Sequence, residues 1–122
     1  TPDQTLSLDE LRGHPVVLVF YPADWSAVCG DQLALYNELR SEFHRYGAEI
    51  VGISVDGAWC HGAYRDARKL HFTLLSDFEP KGAVGRLTGV YWARNRAARA
   101  PALPLRGGRI RSLFSISRIS AA

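Results

Sequence analysis

Methionine is absent from this chain of 122 residues, and cysteine nearly so: Cys29 and Cys60 are the two. Two cysteines are too few to staple a small secreted scaffold, so a cytoplasmic enzyme is the simpler expectation. With no methionine, Thr1 is not an initiator, and the natural chain is expected to begin upstream. No apolar run approaches the roughly 18 to 20 residues that span a bilayer. The opening residues, Thr1-Pro-Asp-Gln-Thr5, lack the basic start and apolar stretch of a secretory signal. Acid is missing from the end of the chain. Residues 93–122 hold seven arginines and no Asp or Glu, whereas residues 1–92 hold eight basic against all twelve acidic residues. A basic terminal segment can serve as a footprint for nucleic acid or anionic lipid. Here Phe114 is its single aromatic able to stack on a base. A solvated tail is therefore expected, with no nucleic-acid or membrane partner.

The residues that are present make a globular domain: 47% hydrophobic, 22% charged and 11% aromatic. A chain of this length supports one core, so residues 1–122 are read as a single domain. Ser7 to Leu11, followed by Arg12-Gly13, predicts a short capped turn. The apolar, β-branched run Pro15 to Tyr21 predicts a strand covered on both faces. Between Ala27 and Tyr46, Leu33, Leu35, Leu39 and Phe43 suggest one amphipathic helix of about five turns. Glu49 to Val55 reads as a second buried strand, Trp59 to Lys69 as a helix, Phe72 to Leu75 as a strand, and Pro80 to Leu87 as a helix. Strands alternating with helices predict an α/β sheet with helical crossovers. Beyond Tyr91 the pattern fades, with two prolines in Pro101-Ala-Leu-Pro-Leu105, a Gly107-Gly108 turn and a last strand expected over Ile110 to Ile119.

The chemistry concentrates in Tyr21-Pro-Ala-Asp-Trp-Ser-Ala-Val-Cys-Gly-Asp-Gln32. Cys29 falls where a loop becomes a helix after a buried strand. A helix N-terminus presents unpaired N–H groups and the positive end of the macrodipole, both of which favour a thiolate over a thiol. Position alone suits equally well an inert, small apolar residue on the helix's buried face. The neighbours favour reactivity: Ser26, three residues earlier, can bring a hydroxyl to the sulfur or to an oxygen beside it, and Pro22 can shield it from water.

The pattern Pro22-x-x-x-Ser26-x-x-Cys29 resembles the Pro-x-x-x-Thr/Ser-x-x-Cys signature of peroxiredoxins, the alkyl hydroperoxide reductase and thiol-specific antioxidant family. Val16-Val-Leu-Val-Phe-Tyr-Pro22, Gly52-Ile-Ser-Val-Asp56, His61, Leu74-Leu-Ser-Asp77 and Gly89-Val-Tyr91 look like further landmarks in the right order, over roughly residues 7–92. The resemblance implies a thioredoxin-like fold and peroxide reduction. It makes Cys29 the nucleophile, Ser26 the hydroxyl that orients peroxide, and Pro22 the lid of the pocket. It also implies an arginine from a distant strand. Aligning Gly108-Arg-Ile-Arg111 with the family's terminal hairpin makes Arg99 the candidate, although the prolines that follow depart from the family's hydrophobic strand.

Recycling departs from the family too. Ala34 stands where one branch has its resolving cysteine, which leaves Cys60, read as a buried helix residue. A single-cysteine mechanism with an external thiol or thioredoxin-type reductant is expected. The alternative is a catalytically weakened relative acting as a binding or structural module. Trp25-Ser-Ala-Val-Cys29 also resembles the thioredoxin Trp-Cys-x-x-Cys with Ser26 in place of the attacking cysteine, which disfavours disulfide exchange. The Cys29-Gly30 pair is shared with glutathione peroxidases, but their Trp-Asn motif is missing. Cys60-His61 lacks partners at metal-ligand spacing, so no metal or other cofactor is expected. Trp59, Cys60 and Tyr64 fall where the family places a subunit contact, and Trp59 and Tyr64 are the aromatics expected to support a homodimer.

Overall fold

A computed structural model describes residues 4–7, 9–88 and 90. The chain runs β1 (Val16–Phe20), α1 (Ala27–Glu38), α2 (Arg40–Arg45), β2 (Glu49–Ser54), α3 (Ala58–Arg68), β3 (Thr73–Ser76) and α4 (Ala83–Leu87). The three strands form one parallel sheet in the order β1-β2-β3, with Val16 opposite Glu49 and Val51 opposite Thr73. The α/β alternation expected from the sequence is present. The strand expected over Ile110 to Ile119, the turn at Gly107-Gly108 and Arg99 lie outside the described residues.

Side chains alternate across the sheet, as the period of a strand requires. Val17, Val19 and Tyr21 face the same side as Ile50, Phe72 and Leu74, and there meet Cys29, Leu33 and Tyr36 of α1 and Tyr64 of α3. Val16, Leu18 and Phe20 face the other side with Val51, Ile53 and Leu75, covered by Leu6 and Leu11. Leu11 is held by a reciprocal cap: the Glu10 N–H donates to Ser7 Oγ at 3.4 Å, while Ser7 N–H donates back to the Glu10 carboxylate at 2.5 Å. Gly52 is required on the helix side, since a Cβ there would stand 2.6 Å from Leu74.

Three expectations need correction. β2, not β1, is the strand buried on both faces; β1 lies at one side of the described sheet and is mostly half-buried. The helix expected over residues 27–46 is two helices meeting at Leu39, whose carbonyl accepts from both Glu42 N–H at 3.0 Å and Phe43 N–H at 3.2 Å. That local tightening to a three-residue bond breaks the α pattern. Leu35 and Leu39 are exposed, because the stripe of α1 that packs on the core is buried Cys29 and Leu33 with half-buried Tyr36, at helical spacing, and Leu35 falls on another face. Among the described residues no helix is long and apolar enough to cross a membrane.

Candidate active site

The carboxyl ends of all three strands converge on one polar cluster, the end at which parallel α/β sheets place their sites. Tyr21, just past β1, donates its hydroxyl to Asp24 Oδ1 at 2.7 Å. The other oxygen of Asp24 lies 2.8 Å from His61 Nδ1 on α3, and His61 Nε2 lies 3.1 Å from the carbonyl of Leu75 on β3. A carbonyl only accepts, so Nε2 carries a hydrogen, and one proton is left to lie between Nδ1 and Oδ2. Wherever it rests, the pair has no net charge, which is the condition for burying it. Both side chains are almost fully buried. Burial, reinforced by the Asp24 carboxylate, pushes the Tyr21 phenol far above its ordinary range. Asp56, beyond β2, accepts from Asp24 N–H and from Ser54 Oγ, each at 2.7 Å.

This cluster fixes the loop that carries Cys29. Trp25 turns the backbone through a positive φ of 61°, and its indole packs edge-on against Tyr64 with centroids 5.2 Å apart. Ser26 then stands as the extended N-cap of α1, but its hydroxyl makes no capping bond. Gly30 N–H donates to Ser26 O at 2.8 Å, so the N–H groups of Ala27, Val28 and Cys29 precede the first intrahelical donor. Cys29 is the third residue of α1 and is 3% exposed, packed among Val19, Leu33 and Tyr64. Pro22 is exposed at the start of the loop. The structure thus brings Ser26 and Cys29 to one helix terminus, with Pro22 on the same short loop.

Cys60 is half-buried rather than buried, a correction to the sequence reading. Burial and an acceptor oxygen of Asp24 push its thiol up. Asp24, Asp56 and Cys60 bring ligand atoms within 4.8 Å of one another, yet both carboxylates are already engaged by Tyr21, His61, Ser54 and the Asp24 backbone. Trp59 and Tyr64 separate completely: Trp59 is 80% exposed, whereas Tyr64 is fully buried in the chain's own core and its hydroxyl has no partner. Tyr64 is therefore not a contact residue.

The sequence missed Asp24 altogether and left His61 without a role. The available signal was a carboxylate and a tyrosine three residues apart at a strand end, but the histidine that joins them is 37 residues from Asp24.

Known proteins share this fold. Peroxiredoxin Q of Xanthomonas campestris superposes with a TM-score of 0.68 at 30% identity, covering 75% of this chain and 57% of that one. Peroxidoxin BcpB of Mycobacterium tuberculosis does so with a TM-score of 0.64 at 33% identity, covering 70% of this chain and 55% of that one. The chloroplastic peroxiredoxin Q of Populus jackii is 45% identical over 74 residues, 61% of this chain and 35% of that protein. The chain spans about a third of the length of the curated relatives it matches. The small parallel sheet with its helices is thioredoxin-like, as in these neighbours. The AhpC/TSA family model matches residues 1–119, well past the 7–92 that carried the resemblance, and this chain accordingly belongs to the AhpC/TSA family of peroxiredoxins.

Proposed function

We propose that this chain is a thiol peroxidase that reduces hydrogen peroxide or alkyl hydroperoxides through Cys29. The observation that carries the reading is the terminus of α1: a nearly buried cysteine at its third residue, a serine N-cap whose hydroxyl is not spent on the cap, and backbone N–H groups ahead of the first intrahelical bond. The Cys29 thiolate attacks one peroxide oxygen, the S–O bond forms as the O–O bond breaks, and the departing oxygen takes a proton to leave as alcohol or water. Cys29 becomes a sulfenic acid. Ser26 and the α1 N–H groups bind the peroxide oxygens and stabilise the charge on the departing one. Pro22 limits water at the pocket mouth, and Arg99 is kept as the candidate for the family's active-site arginine.

One thiol of an external or thioredoxin-type reductant then displaces water from the sulfenic acid, and a second thiol releases Cys29 and leaves a disulfide on the donor. Cys60 is a poor substitute for that donor, because its raised thiol is a weak source of thiolate. A reducing compartment such as the cytoplasm suits two free cysteines. The weakened-module alternative is disfavoured by the intact grouping of Ser26 and Cys29. Peroxide consumption with a general thiol donor tests the function: the parent chain turns over, Cys29→Ser loses essentially all activity and forms no sulfenic acid, and Cys60→Ser retains most. Parent-level consumption by Cys29→Ser would sink the assignment.

Homodimerisation is part of the proposal, and now rests on Trp59 alone of the two aromatics, since its exposed indole is of the type enriched at interfaces. Sedimentation at micromolar concentration is expected to give a dimer for the parent and a monomer for Trp59→Glu. A parent that stays monomeric defeats it.

A further inference from the structure

Tyr64 is the largest fully buried side chain of the described residues, at 0% exposed. Among those residues its hydroxyl is the one buried side-chain polar atom without a hydrogen-bond partner. A phenol taken out of water and left unpaired destabilises the state that holds it. Packing does not call for the oxygen. The ring meets the Trp25 indole edge-on with centroids 5.2 Å apart, and the Arg68 guanidinium lies over its face at 6.0 Å. Phenylalanine would make both contacts. A buried donor that packing does not explain points to a partner acquired in another state of the chain.

The surroundings say where that partner arises. Trp25 stands immediately before Ser26, and Arg68 lies against Gly30, where a Cβ would stand 2.7 Å from one of its terminal nitrogens. The Tyr64 ring is thus bracketed by the residues on either side of the Ser26 to Cys29 turn, and Cys29 packs beside it in one core cluster. Two of the buried members of that cluster carry a hydroxyl. Tyr21 commits its own to Asp24 at 2.7 Å, so the Tyr64 hydroxyl is the uncommitted donor. Burial raises the Tyr64 phenol; the Arg68 charge opposes that rise, while Asp24, Cys29 and Asp31 add to it. The hydroxyl therefore keeps its proton and stays a donor.

Peroxide reduction changes what Cys29 presents to this core. A thiol is a weak hydrogen-bonding group, whereas a sulfenic acid carries an oxygen with free lone pairs. Cys29 is 3% exposed, so rotation about Cβ–Sγ offers that oxygen a side from which water is excluded. We propose that Tyr64 is the buried donor for the oxidised form of Cys29: its unpaired hydroxyl donates to the sulfenic acid oxygen and prolongs that intermediate. The proposal deepens the peroxidase reading and rests on it. No further reactant is needed, since the S–O bond has formed, the O–O bond has broken, and Tyr64 keeps its proton throughout.

The test uses the Cys60→Ser chain, in which Cys29 is the sole thiol. One equivalent of hydrogen peroxide is added, and the gain of one oxygen atom is read by mass. Trapping of the sulfenic acid by a cyclic 1,3-diketone is then timed, and denaturant midpoints are compared for the reduced and oxidised forms. Tyr64→Phe keeps the ring and removes an unpaired polar atom, so the reduced midpoint is expected to stay or rise. Trapping is expected to speed up about three- to tenfold, the ratio to which one net hydrogen bond corresponds, and the oxidised midpoint to fall relative to the reduced one. A tyrosine with only a structural role would shift both forms alike. Equal shifts in the two forms, or an unchanged trapping rate, overturn the proposal. So does a fall in the reduced midpoint, which would show the hydroxyl already paired before oxidation. A parent chain that gains no oxygen overturns this proposal and the peroxidase reading together, whereas a gain of oxygen with trapping independent of Tyr64 removes this proposal alone.

Discussion

Cys29 and Cys60 occupy the same backbone position, each the third residue of a helix whose N-cap is extended and makes no side-chain cap. Their surroundings are opposite. Cys29 is packed among apolar side chains, with a serine three residues earlier and a guanidinium beside the next residue. Cys60 has Gly57 three residues earlier and faces Asp24 and Asp56. At the second terminus burial and the neighbouring carboxylates push the Cys60 thiol up. A helix dipole of the same sign serves both, so the dipole cannot be what separates them. The difference lies in the side chains that other elements bring to each sulfur.

The strongest way to break this contrast is through Asp24. Asp24→Asn removes the carboxylate from a fully buried pair and leaves Tyr21 and His61 to rearrange around an amide. A loss of about 3 kcal/mol is expected in denaturant unfolding, and in the folded fraction Cys60 is alkylated faster as its acceptor weakens. Unchanged stability would mean that the Asp24–His61 contact is not the clamp described above.

Ser26 tests the other terminus. Ser26→Ala is expected to slow peroxide reduction about a hundredfold, the cost of losing one oriented donor, while Ser26→Thr keeps the hydroxyl and most of the rate. Stability should hardly move in either, because that hydroxyl caps nothing. Equal rates in all three chains would remove Ser26 from the site.

The smallest effect is on pH. The Cys60 thiol is raised in the folded chain, so its contribution to stability is fully present below the ordinary thiol range and is lost as pH rises through the folded value. The slope of unfolding free energy against pH on the alkaline side should be shallower in Cys60→Ser, by well under about 1 kcal/mol per pH unit. The Tyr21 phenol has the same sign at higher pH. Identical slopes in parent and Cys60→Ser would place Cys60 outside the reach of Asp24.

What the sequence made legible follows the range of the interactions. The three described strands and α3 were readable within a residue or two, because apolar periodicity and glycine boundaries are local signals. Ser26 and Cys29 were readable for the same reason: their relation is fixed by one helical turn. The split at Leu39 was not, since no proline or glycine marks it and the break is a matter of which N–H shares a carbonyl. Trp59 and Tyr64 could have been separated by helical arithmetic, being five residues apart and hence roughly 140° around the axis. Asp24 and His61 were out of reach, because each acquires meaning only from a partner on another element.

The parallel register has a kinetic consequence. Val16 pairs with Glu49 across two intervening helices, with no hairpin to bring them together. Such pairings require closure of long loops before contacts compensate the lost entropy, and they fold slowly compared with local ones. Arg68 reaches Gly30, and His61 reaches Asp24, only after those closures. During synthesis, then, Cys29 emerges in its loop well before α3 does, without the packing beside Tyr64 that the folded chain gives it. A chain caught half-folded therefore carries Cys29 outside the core that buries it.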